Sequence, residues 1–207
     1  MQRRLAPLVL LALWAAPLAA QTERPHLDIV LGATPGQEGP SIQAANLIAP
    51  TRDLLVNGAF PERMHFKLEL WRKGGVFDDL DSLAEWDVLV SYDPTRQLFN
   101  VVRRFANQFE DFGGFSSIAA ADGQLARPFR VPLHASQSGH YYYNLTVEVR
   151  TLTETDLAAL QQFLRGTPQA TSKPLSWLGR SIGRLMSRVL GGDTRRYAQQ
   201  SEVFGVP

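Results

Sequence analysis

From Tyr141 to Arg150 the side chains alternate without a break. Tyr141, Tyr143, Leu145, Val147 and Val149 fall on one side, and Tyr142, Asn144, Thr146, Glu148 and Arg150 on the other. Successive side chains of extended backbone point to opposite faces, so this period of two, in β-branched and aromatic residues, is the pattern of a half-buried strand. Directly afterwards the period changes. Thr153 and Asp156 stand three apart, as in a capping box, and open a helix with Leu157, Leu160 and Leu164 on one side before Gly166 and Pro168 close it.

The same reading extends upstream. Leu27–Leu31 is a first strand, Gly32–Ser41 a loop rich in glycine and proline, and Leu54–Val56 a short strand before the Asn57-Gly58 turn. Met64, Phe66, Leu68 and Leu70 alternate with His65, Lys67, Glu69 and Trp71. Val88–Tyr92 and Gln97–Val102 form a hairpin through Asp93-Pro94-Thr95-Arg96, with the residue order of a type I turn. Ser82–Trp86 is expected to make one helical turn. Phe105, Phe109 and Phe112, at i, i+4 and i+7, read as a helical stripe ended by Gly113-Gly114. Phe129–Leu133 is expected to pair with Tyr141–Arg150 across the loop His134–His140. The fold class is therefore mainly β (α+β): an antiparallel β-sandwich or strongly bent sheet with two or three helices.

Arg3 and Arg4, the apolar run Leu5–Ala16 and the small residues up to Ala20 have the order of a secretory signal peptide, cleaved near Ala20. No later run reaches the roughly 18 apolar residues of a membrane helix. The expected location is the periplasm or cell envelope. Cysteine is absent, which removes disulfides, thiolate metal sites and cysteine nucleophiles.

Charge divides the remainder. Residues 165–196 hold Arg165, Lys173, Arg180, Arg184, Arg188, Arg195 and Arg196 against Asp193 alone, while acids outnumber bases over residues 21–164. This split, with the polar stretch before Lys173, predicts a β-rich domain at 21–166, a linker at 167–174, and an amphipathic helix with a C-terminal tail at 175–207, fraying beyond Arg196.

The helix Leu175–Leu190 is the candidate recognition element. Leu175, Leu178, Ile182, Leu185, Met186 and Val189 line its apolar side, Arg180, Arg184 and Arg188 lie nearly opposite, and Gly179, Gly183 and Ser187 form a stripe of small residues. Each glycine costs a helix roughly 1 kcal/mol relative to alanine, so the two glycines call for a compensating close contact. Leu178, Gly179, Ile182, Gly183, Leu185, Met186 and Val189 are assigned to contact with an envelope protein partner; an anionic membrane surface and the chain's own domain are the other expectations. An exported acidic body disfavours nucleic acid.

Chemistry is less legible. Ser136, Ser138, His134 and His140 share one loop, but no Gly-x-Ser-x-Gly elbow accompanies them. His134 and His140 supply two imidazoles for zinc and no third ligand. Asp78, Asp79, Asp81, Glu85 and Asp87 form an acidic run without the glycine of a calcium-binding EF-hand loop. The sequence nominates no catalytic residue, no metal site and no cofactor. The expected function is a non-catalytic envelope binding or accessory protein. The alternatives are a carrier enclosing a small apolar ligand in the sheet, which requires a cavity of roughly 300 Å³ or more, and a hydrolase with a site assembled from scattered polar residues.

Over Leu54–Arg103 the order of features resembles an exported bacterial family, domain of unknown function 4390. The resemblance rests on Leu-Leu-Val-Asn-Gly at 54–58, a strand ending Leu-Trp-Arg at 70–72, Phe77-Asp78, and Ser-Tyr-Asp-Pro-Thr-Arg-Gln-Leu-Phe at 91–99. Val76 and Phe77 stand where the family carries paired tryptophans, and Asp78–Asp87 reads as an insertion. The resemblance implies an exported β-rich protein and no catalytic residue.

Overall fold

The computed structural model describes residues 24–58, 60–106, 108–152, 156 and 194–207. They form ten strands and two α-helices: β1 (His26–Val30), β2 (Ser41–Ala45), α1 (Arg52–Asn57), β3 (Glu62–Arg72), β4 (Asp79–Asp93), β5 (Leu98–Phe105), β6 (Gln108–Phe115), α2 (Ile118–Leu125), β7 (Phe129–Arg130), β8 (Gly139–Thr151), β9 (Thr194–Gln200) and β10 (Phe204–Val206). A short 3-10 turn, Ala49–Thr51, leads into α1.

Alternation builds the larger sheet. Its order is β10-β8-β3-β4-β5-β6, with β9 also on β8. All of its strand pairs are antiparallel. Tyr143, Leu145, Val147 and Val149 of β8 stand in register with Leu70, Leu68, Phe66 and Met64 of β3, and all are buried. Trp86, Val88 and Val90 of β4 continue that face, with Trp86 stacked on Phe66 at 5.0 Å between ring centroids. β1, β2 and β7 make a second, three-stranded sheet. Its Leu27, Ile42 and Ala44 join the same apolar cluster as the larger sheet's inner face.

Five expectations are corrected. Leu54–Val56 belongs to α1, not to a strand: Pro50 starts a 3-10 turn, and Gly58 N–H donates to Leu54 O to end the helix. A short apolar run has no period with which to tell strand from helix. Ser82–Trp86 is strand, because β4 pairs with β3 from Asp79 to Val90 through a bulge at Leu70/Trp71. That bulge breaks the alternation that would have revealed it.

Phe105, Phe109 and Phe112 are not on a helix. Phe105 ends β5 and the other two lie in β6. A turn with Ala106 at φ 53° separates Phe105 from β6, and a bulge at Asn100/Val102 shifts the register next to Phe112. The helical spacing is a coincidence of those two irregularities. Gly113 sits in the bulge at φ +82°, where a side chain is strained. The helix in this region is α2, whose start Ser117 marks by accepting a hydrogen bond from Ala120 N–H.

Phe129–Leu133 yields only β7, which pairs with β2 rather than β8. Pro128 and Pro132 flank it, and proline removes the donors a longer ladder needs. The chain beyond Arg196 does not fray: β9 pairs with Asn144–Arg150 and β10 with Gly139–Tyr141. Between them Ser201 N–H donates to Tyr143 O, while Tyr143 N–H donates to Ser201 Oγ. The leader, the capped helix after Thr153 (Asp156 apart), the linker and Leu175–Leu190 lie outside the described residues.

Candidate recognition surfaces

The residues assigned to partner contact, Leu178 to Val189, lie outside the described residues, but their point of departure does not. Arg150 of β8 stands directly opposite Thr194 of β9. Residues 153–193 are therefore inserted between two paired strands, and the chain leaves and rejoins the sheet at one spot. The larger sheet takes strands from both sides of residues 153–193. The anchor is polar. Glu62, 1% exposed at the start of β3, accepts hydrogen bonds from Thr51 Oγ1 at 2.6 Å and Arg195 Nη2 at 3.1 Å. Burial pushes the Glu62 carboxyl up to about 7; Thr51 and Arg195 pull it back, and Asp122 adds to the rise. Asp122 of α2 accepts from Ile48 N–H at 3.0 Å, and burial raises its carboxyl too. These acids lie inside the fold and hold the 3-10 turn, α2 and β9 together.

Four of the acids in the run 78–87 brace their surroundings. Asp78 accepts from Gly74 N–H and from the Tyr142 hydroxyl, Asp79 pairs with Arg72, and Asp81 accepts from both Ser136 N–H and its hydroxyl. Asp87 pairs with Arg63 at 2.8 Å and meets His65 Nδ1 at 3.0 Å. Burial raises the Asp87 carboxyl, but His65 and Arg63 outweigh it and hold it below its ordinary value. Among the described residues no group of three His, Asp or Glu side chains is placed to hold a metal. His134 and His140 do not flank a hairpin, since β7 pairs elsewhere.

Those braces fix the turn between β3 and β4. Lys73 N–H donates to His140 O, and a Cβ on Gly74 would collide with the Phe77 carbonyl, so the turn closes tightly on itself. At its apex Val76 is 85% and Phe77 81% exposed. Leu80 and Leu83, also exposed, follow on β4. Large apolar side chains held in water by a hydrogen-bonded turn make this apex a candidate contact surface. By sequence this stretch reads as an acidic run followed by a helical turn, and the apolar Val76-Phe77 pair just before the acids is the signal of the exposed apex.

A second feature opens beside β6, which no strand covers on its outer side among the described residues. Arg103, Phe105, Gln108, Phe109, Glu110 and Phe129 line a cleft of about 310 Å³. The Arg103 guanidinium lies 3.7 Å from the Phe129 ring centroid and pairs with Glu110. Behind it, the space between the sheets lined by Ile42, Phe66 and Trp86 holds about 30 Å³, room for a water molecule.

No helix among the described residues is long and apolar enough to cross a membrane. Comparison with known proteins yields no counterpart: no family model matches, and neither curated proteins nor solved structures give a significant match.

Proposed function

We propose that this chain is an exported, non-catalytic binding or accessory module of the cell envelope, in the manner implied by its resemblance to domain of unknown function 4390. The smaller sheet is one layer of a sandwich over the inner face of the larger, and the filled core serves stability alone. Recognition takes place on the exterior. The observation that carries this reading is the pair Val76 and Phe77, displayed in water by a turn fixed through Asp78, Gly74 and Tyr142. Burying two such side chains against a partner contributes about 1.5–3 kcal/mol each. A turn already held in place has little order left to lose on binding.

The test is cross-linking in intact cells of the full chain against a Val76→Ser, Phe77→Ser double variant. The reading requires the variant to be exported with an unchanged melting temperature and to lose the cross-linked species formed by the parent. Identical cross-linking patterns would refute it.

The aromatic cleft beside β6 favours a second reading, a carrier of a small apolar ligand, since its 310 Å³ is of the size such ligands occupy. The cleft is open at the sheet's edge, whereas the space between the sheets is an order of magnitude smaller. Protection of Phe109 from solvent by an apolar probe at micromolar concentration would promote this reading over the first.

A further inference from the structure

We infer that the outward side of the β3–β4 hairpin end, formed by Trp71, Leu80, Leu83 and Tyr142 and crowned by Val76 and Phe77, is the docking face for another protein, and that this partner offers an apolar pocket rimmed by basic side chains. The inference rests on the proposed function and adds the extent of the face and the chemistry of what meets it.

Register assembles the face. Trp71 of β3 stands opposite Tyr142 of β8 on one side and Leu80 of β4 on the other. In the next row Glu69 lies between Asn144 and Leu83. This is the side of the sheet away from the buried Leu68, Leu70 and Tyr143. The two rings are fixed: Trp71 Nε1–H donates to Glu69 Oε2 at 3.2 Å, and the Tyr142 hydroxyl donates to Asp78 Oδ2 at 2.9 Å. Glu69 is itself held by Lys67 and by Asn144 Nδ2 at 3.0 Å. Tethered aromatic rings surrounded by exposed leucines are the composition of an interface centre. Further along the same side the sheet is charged, with Arg63, His65 and Asp87 bonded together, so the apolar area is confined to the hairpin end.

Charge selects the occupant. From residue 72 to residue 86 the hairpin carries Asp78, Asp79, Asp81 and Glu85 against Arg72 and Lys73. Asp79 is neutralised by Arg72, but Asp78 and Asp81 are bonded to neutral groups, a tyrosine hydroxyl and backbone N–H for one and Ser136 for the other. Their negative charge therefore projects around the apolar tip. An anionic bilayer surface repels such a rim, and so does a second copy of the same face; a protein with lysines or arginines around its pocket is attracted to it.

The test places a photoreactive benzoylphenylalanine at Leu80 and, separately, at Leu83 of the full chain in cells, beside a probe at Phe77, and identifies the attached peptides by mass spectrometry. The inference expects all three probes to capture one protein, at sites flanked by lysine or arginine. With that protein purified, Glu85→Lys lowers the association rate several-fold at low salt, with the difference vanishing at high salt. Capture from Phe77 with none from Leu80 and Leu83 overturns this face while leaving the proposed function standing; absence of capture from all three overturns both. Attachment to lipid, to a second copy or to residues 153–193 of the same chain overturns the choice of occupant, as does a Glu85→Lys rate equal to the parent's.

Discussion

Arg195 and Glu62, 133 residues apart in sequence, meet at 3.1 Å in the interior of the fold. The contact ties the second residue of β9 to the first residue of β3, and it does so where the chain leaves and rejoins the sheet around residues 153–193.

Its pH dependence follows from burial. The Glu62 carboxyl rises from its ordinary 4.5 to about 7 because water is excluded from it. A folded-state value above the unfolded one means that this residue's contribution to stability is complete below about 4.5 and is lost as pH rises through 7. At 1.36 kcal/mol per pH unit the loss amounts to about 3 kcal/mol. Urea unfolding at a series of pH values from 5 to 8 should show the parent losing stability relative to Glu62→Gln, whose pH profile is flat in this respect. Parallel profiles would show that Glu62 is ionised throughout.

The hairpin topology makes residues 153–193 removable. Joining Leu152 to Thr194 through an Asn-Gly turn should leave a cooperatively folding protein whose melting temperature shifts by a few degrees. Ending the chain at Thr167 should abolish folding, because it deletes β9 and β10. Phe204, packed at 5.2 Å between ring centroids on Tyr143, is by itself worth roughly 3–5 kcal/mol. Circular dichroism melting curves of the two deletions separate these outcomes.

Exposure and burial predict opposite responses in neighbouring aromatic residues. Trp86→Ala, which removes the ring stacked on Phe66 and meeting Phe129 edge to face, should cost roughly 3–5 kcal/mol. Phe77→Ser, at the turn apex, should change stability by no more than about 0.5 kcal/mol. Denaturant midpoints of the two variants supply the comparison.

Asp122→Ala should cost about 1–3 kcal/mol, since it strands the buried Ile48 N–H. Hydrogen exchange at Ile48 should accelerate more in this variant than exchange at Val147 in the centre of β8.

Much of the larger sheet was legible, and the reason is physical. Where a strand is buried on one face over its full length, as in β3 and β8, alternation is enforced at every position and survives in the sequence. The hairpin at Asp93 was equally plain, because the Asp93 carboxylate accepts from Thr95 and Arg96 N–H and fixes the turn locally. The errors cluster where one residue is inserted. The bulge beside Trp71 disguised half of β4, and the one near Gly113 let three phenylalanines imitate a helix. β9 escaped because Arg195 faces inward toward a buried acid, so its pattern reads as polar tail. The acids at 78–81 stand out in the sequence for their chemistry, while the exposure of Val76 and Phe77 beside them appears only in the fold. No local pattern announces that a loop will be braced from Tyr142 and Ser136, since those partners lie over fifty positions away.

The most direct measurement compares photo-cross-linking in cells from a benzoylphenylalanine probe at Phe77, on the hairpin tip, with one at Phe109, in the aromatic cleft. The tip probe should capture a protein and the cleft probe should not. Capture from Phe109 alone would move recognition into the cleft and contradict the account.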